Sequence, residues 1–152
     1  MNKRFIHILI AAILPLLSFS QSAQYQSIQS GDLALSLDAN FPSIKRYTLL
    51  KNNATLEGSI SNNKTLLING ILFQPKVTST VSENAILYTM TIEDIEVVLT
   101  LKVEVIDNIV DLKFTHVKEN GIFKINSIAF PEHQLLTVSS KVKNANFSGA
   151  KM

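Results

Sequence analysis

Glu96-Val97-Val98-Leu99-Thr100-Leu101-Lys102-Val103-Glu104-Val105 is the stretch on which the fold turns. Val97, Leu99, Leu101, Val103 and Val105 share one parity, while Glu96, Thr100, Lys102 and Glu104 hold the other with only Val98 among them. That is period two, the pattern of a strand with one buried face. Ile106-Asp107-Asn108-Ile109 follows, with two residues tolerant of positive φ between apolar runs. Val110, Leu112 and Phe114 then alternate with Asp111, Lys113 and Thr115, so a tight hairpin joins the two runs. Asn120-Gly121 is the strongest short-range hairpin signal in the chain and is expected to send Ile122 to Phe130 back alongside. Upstream, Ile86, Tyr88, Met90 and Ile92 alternate with Leu87, Thr89 and Thr91, and Glu93-Asp94 turns that strand into the next. Ile86 to Phe130 thus reads as four consecutive antiparallel strands. In the last of them the parity slips near Asn126-Ser127, where a bulge would restore the facing.

Outward from this stretch the chain keeps the same character. Leu33, Leu35 and Leu37 alternate with Asp32, Ala34, Ser36 and Asp38 after an opening at Gly31. Asn40-Phe41-Pro42-Ser43 breaks the run, because Pro42 cannot donate to a ladder and restrains Phe41 to extended geometry. Short strands follow from Ile44 to Leu50, Thr55 to Ser59, Leu66 to Ile68 and Ile71 to Phe73, with turns at Lys51-Asn52-Asn53, Asn62-Asn63-Lys64 and Asn69-Gly70. Pro75 permits an edge strand from Lys76 to Val81. No helical periodicity of useful length appears beyond the N-terminus, so the expected fold class is all-β, an antiparallel β-sandwich. Leu135 to Ser140 and Ala145 to Ser148 read as further strands. The stop at Lys151-Met152 reads as the N-terminal portion of something longer.

At 152 residues with 46 % apolar content, the chain has a one-domain length and enough material for a core. Lys3 and Arg4 precede an apolar run from Phe5 to Leu17, and Ser18 and Ser20 stand three and one before Gln21. This is the pattern of a secretory signal peptide, 1–20. The run is shorter than the roughly 20 residues a bilayer span needs, so no stable membrane anchor is expected and the product is secreted or periplasmic. Residues 21–30, rich in Gln and Ser, read as a mobile lead-in, and 31–152 as the domain. Removing Lys3 and Arg4 from the fourteen basic residues leaves twelve against twelve acidic ones. That balance carries no nucleic-acid footprint. Without Cys there is neither a disulfide framework nor a thiolate zinc site, and stability must come from packing.

Chemistry-bearing motifs are sparse. Past the signal only His116 and His133 remain, neither with a second ligand at metal spacing on its own element. His116, at a strand end, reads as a surface residue. His133 lies in the polar Pro131-Glu132-His133-Gln134 loop between strands, where binding residues often sit. Glu93, Asp94, Asp107 and Asp111 fall in turns and on polar strand faces and do not assemble a carboxylate pair. No G-x-S-x-G elbow, P-loop or dinucleotide fingerprint occurs. Asn53-Ala54-Thr55, Asn63-Lys64-Thr65 and Asn146-Phe147-Ser148 fit the glycosylation acceptor pattern. Tyr88 reads as core, whereas Tyr47, beside Lys45 and Arg46, is a candidate to face a groove. Tyr47 and His133 are therefore the candidate carbohydrate-binding residues; no catalytic residue, metal ligand or cofactor is assigned.

The segments Leu37-Asp38-Ala39-Asn40-Phe41-Pro42-Ser43-Ile44-Lys45-Arg46-Tyr47, Asn69-Gly70 with Pro75-Lys76-Val77, and Leu87-Tyr88-Thr89-Met90-Thr91-Ile92 carry a resemblance. So do Ile128-Ala129-Phe130-Pro131-Glu132-His133-Gln134-Leu135-Leu136 and Val138-Ser139-Ser140. In this order they resemble the galactose-mutarotase-like β-sandwich domain that precedes the catalytic barrel of endo-α-N-acetylgalactosaminidases. The resemblance runs from about Gly31 to the end. It implies a secreted glycoside hydrolase that releases galactosyl-β-1,3-N-acetylgalactosamine from mucin-type O-glycans, with its catalytic carboxylates in the barrel and none in this stretch. The expected role is then a non-catalytic accessory domain. Its partners are the barrel of the same polypeptide and O-glycans. The alternatives are a free-standing exported carbohydrate-binding protein and a structural secreted β-domain.

Overall fold

The computed structural model of the chain describes residues 24–131 and the backbone of the strand Leu135–Ser139. The described residues form twelve strands: β1 Tyr25–Ser30, β2 Leu33–Asp38, β3 Ile44–Leu49, β4 Ala54–Glu57, β5 Leu66–Ile68, β6 Ile71–Phe73, β7 Lys76–Val81, β8 Ala85–Ile92, β9 Val97–Ile106, β10 Ile109–Lys118, β11 Ser127–Phe130 and β12 Leu135–Ser139. They form three four-stranded sheets in the orders β1-β2-β3-β4, β10-β9-β8-β7 and β12-β11-β5-β6, and every pairing is antiparallel. The architecture is the all-β sandwich that the alternation predicts.

The second sheet shows how parity becomes a core. Register sets Ile86 opposite Val103, Tyr88 opposite Leu101, Met90 opposite Leu99 and Ile92 opposite Val97. All eight are buried together with Ile28, Leu35, Leu37, Leu66, Ile68, Ile128 and Phe130 in one cluster that draws on all three sheets. Phe130 ties it together, packing edge-on to Phe41 at 6.0 Å and stacking on Phe114 at 6.3 Å. Aromatic pairs of this kind add to the area they bury. Tyr88 is fully buried, and its hydroxyl donates to the Asp38 carbonyl at 2.8 Å, joining the second sheet to the first. At one end of the sandwich the Asp32 amide donates to Asn108 Oδ1 at 2.6 Å, so the β1–β2 and β9–β10 turns are stitched to each other.

The hairpin readings at Asp107-Asn108 and Asn69-Gly70 hold. Asp107 and Asn108 both have positive φ, 46° and 70°, and Ile106 pairs with Ile109, as a two-residue type I′ hairpin requires. Asn69 and Gly70 do the same between β5 and β6. Glu93–Ile95 forms a single 3-10 turn that ends on Glu96 in the left-handed region.

Two expectations are corrected. Residues 25–30, expected to belong to the lead-in, form β1, because Ile28 falls opposite Leu35 and is buried against the second sheet. The domain therefore begins before Gly31. The other correction concerns Asn120-Gly121, which makes no hairpin. β10 ends at Lys118 and the chain crosses to the third sheet, where β11 pairs with β5. Side chains bind the amides of the crossing segment in place of a ladder. Asn120 Oδ1 accepts from Ile122 and Phe123, Glu119 Oε1 from Ile125, and Asn69 Oδ1 from Asn126 and Ser127. The Ile125 amide first and the Lys124 ammonium second hold the Glu119 carboxyl below its ordinary value. The facing is set by where the crossing ends, since β11 starts at Ser127; the irregularity in its pairing lies further on, between Ile128 and Phe130.

Candidate functional site: a groove on the outer face of the first sheet

The first sheet presents two different faces, and register assigns each residue to one of them. Ile28, Leu35, Tyr47 and Leu56 stand opposite one another across β1 to β4 on the core side. Ser27, Ser36, Arg46 and Glu57 form the adjacent row on the outer side, because side chains alternate along each strand. Arg46 Nε donates to Glu57 Oε1 at 2.9 Å across the β3–β4 pair.

A bulge breaks the alternation where it matters. Ser36 pairs with Arg46 but Leu37 pairs with Ile44, so Lys45 is an extra residue on β3. A bulge re-aims side chains, and here the consecutive cations Lys45 and Arg46 both line the same outer groove. Past β4 the chain stays bonded to the bulged strand. The Gly58 amide donates to the Lys45 carbonyl at 2.9 Å and the Ser59 amide to the Ile44 carbonyl at 2.8 Å. This approach requires glycine, since a Cβ on Gly58 would lie 2.2 Å from the Ile44 oxygen. Residues 59–62 then rise as a wall, fastened by the Lys45 ammonium donating to the Ser61 carbonyl.

The resulting groove has a volume of about 360 Å³ and is lined by Tyr25, Ser36, Lys45, Arg46, Glu57, Ser59, Ile60 and Asn62. Its floor offers a carboxylate, a guanidinium, an ammonium, hydroxyls and an amide. Tyr25, 48 % exposed, supplies an aromatic wall. Polar groups able to donate and accept, beside a ring face, are what a polyhydroxylated ligand with apolar C–H faces requires.

Of the residues selected from sequence, Tyr47 lies on the other face of this sheet. It is half-buried against the core and is not among the groove's lining residues, although its neighbours Lys45 and Arg46 are. Burial raises the Tyr47 phenol above its ordinary value. His133 lies outside the described residues. His116 is exposed on β10, opposite Thr100 just past a bulge at Phe114. Asn53 and Asn63 are exposed, the former at φ 54° in the β3–β4 turn, and Asn146 lies outside the described residues. Among the described residues no group of three His, Asp or Glu side chains is placed to hold a metal ion. Sequence reasoning missed Tyr25, because it sits in a Gln- and Ser-rich stretch whose one apolar anchor is Ile28. It also missed Glu57, whose role depends on the partner strand. The available signal was the polar parity of Ser27, Ser36 and Arg46.

Residues 28–152 match the family described as the galactose mutarotase-like fold domain. The chain belongs to that family. The match begins within β1 and covers all three sheets, so the domain includes the strand expected as lead-in. Membership explains the architecture, and a shared fold does not by itself carry an activity.

Proposed function

We propose that this galactose mutarotase-like domain is a non-catalytic, carbohydrate-binding accessory domain of a secreted glycoside hydrolase. The parent enzyme resembles an endo-α-N-acetylgalactosaminidase acting on mucin-type O-glycans. The observation that carries the sugar-binding part is the groove, with Tyr25 as its wall and Ser36, Arg46, Glu57 and Asn62 as its hydrogen-bonding surface. Support for the accessory role comes from the opposite face. The core-side row of the first sheet runs from fully buried Ile28 and Leu35 to Leu56, 55 % exposed, and Leu49 is exposed beside it. An apolar row that leaves the cover of its own core is what a module presents to a neighbouring domain. The segment 1–20 provides for export, and the catalytic barrel is then the partner.

Calorimetric titration of the purified chain with galactosyl-β-1,3-N-acetylgalactosamine tests the binding. Tyr25→Ala is expected to weaken it about fivefold, from the loss of a ring contact of about 1 kcal/mol. Failure of every O-glycan core to bind would remove the sugar-binding reading. For the accessory role, the reading frame beyond Met152 decides: it is expected to continue into a barrel carrying paired carboxylates, and a stop codon there would leave the free-standing binding protein as the better account.

A further inference from the structure

We propose that the groove selects sugars bearing an anionic group, a carboxylate or a sulfate ester, and that Lys45 makes the selection. The inference rests on the groove being a sugar site and adds the class of sugar.

The lining holds two cations, Lys45 and Arg46, against one carboxylate, Glu57. Arg46 is already paired, its Nε meeting Glu57 Oε1 at 2.9 Å. Lys45 has no carboxylate within ion-pair distance among the described residues. Its ammonium donates to the Ser61 carbonyl, a neutral acceptor, and an ammonium carries three donors in all. Two remain for a ligand. Asp38, another acid on this sheet, stands opposite Tyr25; it is buried, and its Oδ1 accepts the Asn40 amide at 2.8 Å. Among the described residues the positive charge of Lys45 therefore has no ion-pair partner, and it stands in a half-buried position. There the attraction for an anion is screened less than at a fully exposed lysine. Both cations owe their common direction to the bulge, which a regular strand would have placed on opposite faces. A volume of about 360 Å³ suits one or two sugar rings with an acidic substituent rather than a long chain.

The test is calorimetric titration of the purified chain with three probes at low and high ionic strength: the neutral disaccharide galactosyl-β-1,3-N-acetylgalactosamine, its sialylated form, and a form sulfated on one ring. At least one acidic form is expected to bind about tenfold more tightly than the neutral one, with the advantage shrinking as salt rises. Tighter binding of the sialylated form assigns the carboxylate, tighter binding of the sulfated form assigns the sulfate, and equal gains assign negative charge alone. Lys45→Met should bring the ratio of acidic to neutral affinity to one, whatever the loss of its bond to the Ser61 carbonyl does to the neutral affinity, and Lys45→Arg should keep the ratio. Equal affinity for neutral and acidic forms would overturn the selection and leave the sugar site standing. An advantage that survives Lys45→Met would overturn the role of Lys45. Absence of binding to all three would remove the sugar site and this inference with it.

Discussion

Tyr88 offers the sharpest check on how the two sheets are joined. It is fully buried, and its hydroxyl donates to the Asp38 carbonyl at 2.8 Å. Tyr88→Phe keeps the ring and its packing and removes that one donor, leaving the carbonyl without it at a cost of about 1–2 kcal/mol at neutral pH. The hydroxyl also makes this difference depend on pH. Burial first, and the Asp38 charge second, push the Tyr88 phenol well above its ordinary value of 10.0. With the folded value above the unfolded one, the contribution is complete below the unfolded value and is lost as pH rises beyond it. Above that point the unfolded chain binds fewer protons than the folded one, so unfolding free energy falls with pH. For an unfolded value of about 10, the loss reaches about 1.4 kcal/mol at about pH 11. The phenylalanine of the variant has no such group, and the remaining titrations occur in both proteins and cancel in the difference. Urea unfolding followed by far-ultraviolet circular dichroism should show a lower midpoint for the variant at neutral pH with an unchanged slope. The gap should nearly close by about pH 11. A variant as stable as the parent at neutral pH, or a gap that does not change with alkalinity, would refute this account of Tyr88.

Gly58→Ala places a methyl group 2.2 Å from the Ile44 carbonyl oxygen; it is expected to cost about 2 kcal/mol or more and to weaken glycan binding, measured by urea midpoint and calorimetry. Asn69→Ala removes the bonds from Nδ2 to the Lys124 carbonyl and from the Asn126 and Ser127 amides to Oδ1, and adds strain at φ 53°. A loss of about 2–3 kcal/mol is expected, and Asn69→Gly, which relieves the strain but not the lost bonds, should lose less. Lys76→Gln breaks the ion pair with Glu93, whose side chains are 73 % and 61 % exposed, and should change stability by less than about 0.5 kcal/mol.

Much of the fold was legible because its signals are local. The parity of Val97 to Val105 identifies β9 and its buried face, since a strand cannot turn its side chains independently of the pleat. Asp107-Asn108 and Asn69-Gly70 identify their hairpins because few other pairs tolerate two successive positive φ values. Asn120-Gly121 carries the same local signal and yet turns no hairpin. Its outcome depends on Ile128 and Phe130, which gain more from burial between the sheets than from pairing beside β10, and on Asn69, 57 residues from Asn126, for the amides left over. That balance is non-local and leaves no mark in the sequence around Gly121.

The candidate site divides in the same way. Lys45, Arg46 and Tyr47 were visible together as a cluster at a strand, and a regular alternation would have put Lys45 and Tyr47 on one face and Arg46 on the other. Alternating side chains and turn residues determined, by themselves, an antiparallel β domain, its main hairpins and most of its core, because those follow from the geometry of a few neighbouring residues. Only the tertiary structure decided that β1 belongs to the domain, that the chain after Lys118 changes sheets, and that a bulge held by the Gly58 and Ser59 amides turns Lys45 to the side of Arg46. The physical reason is that each depends on hydrogen bonds and burial supplied by segments distant in the chain.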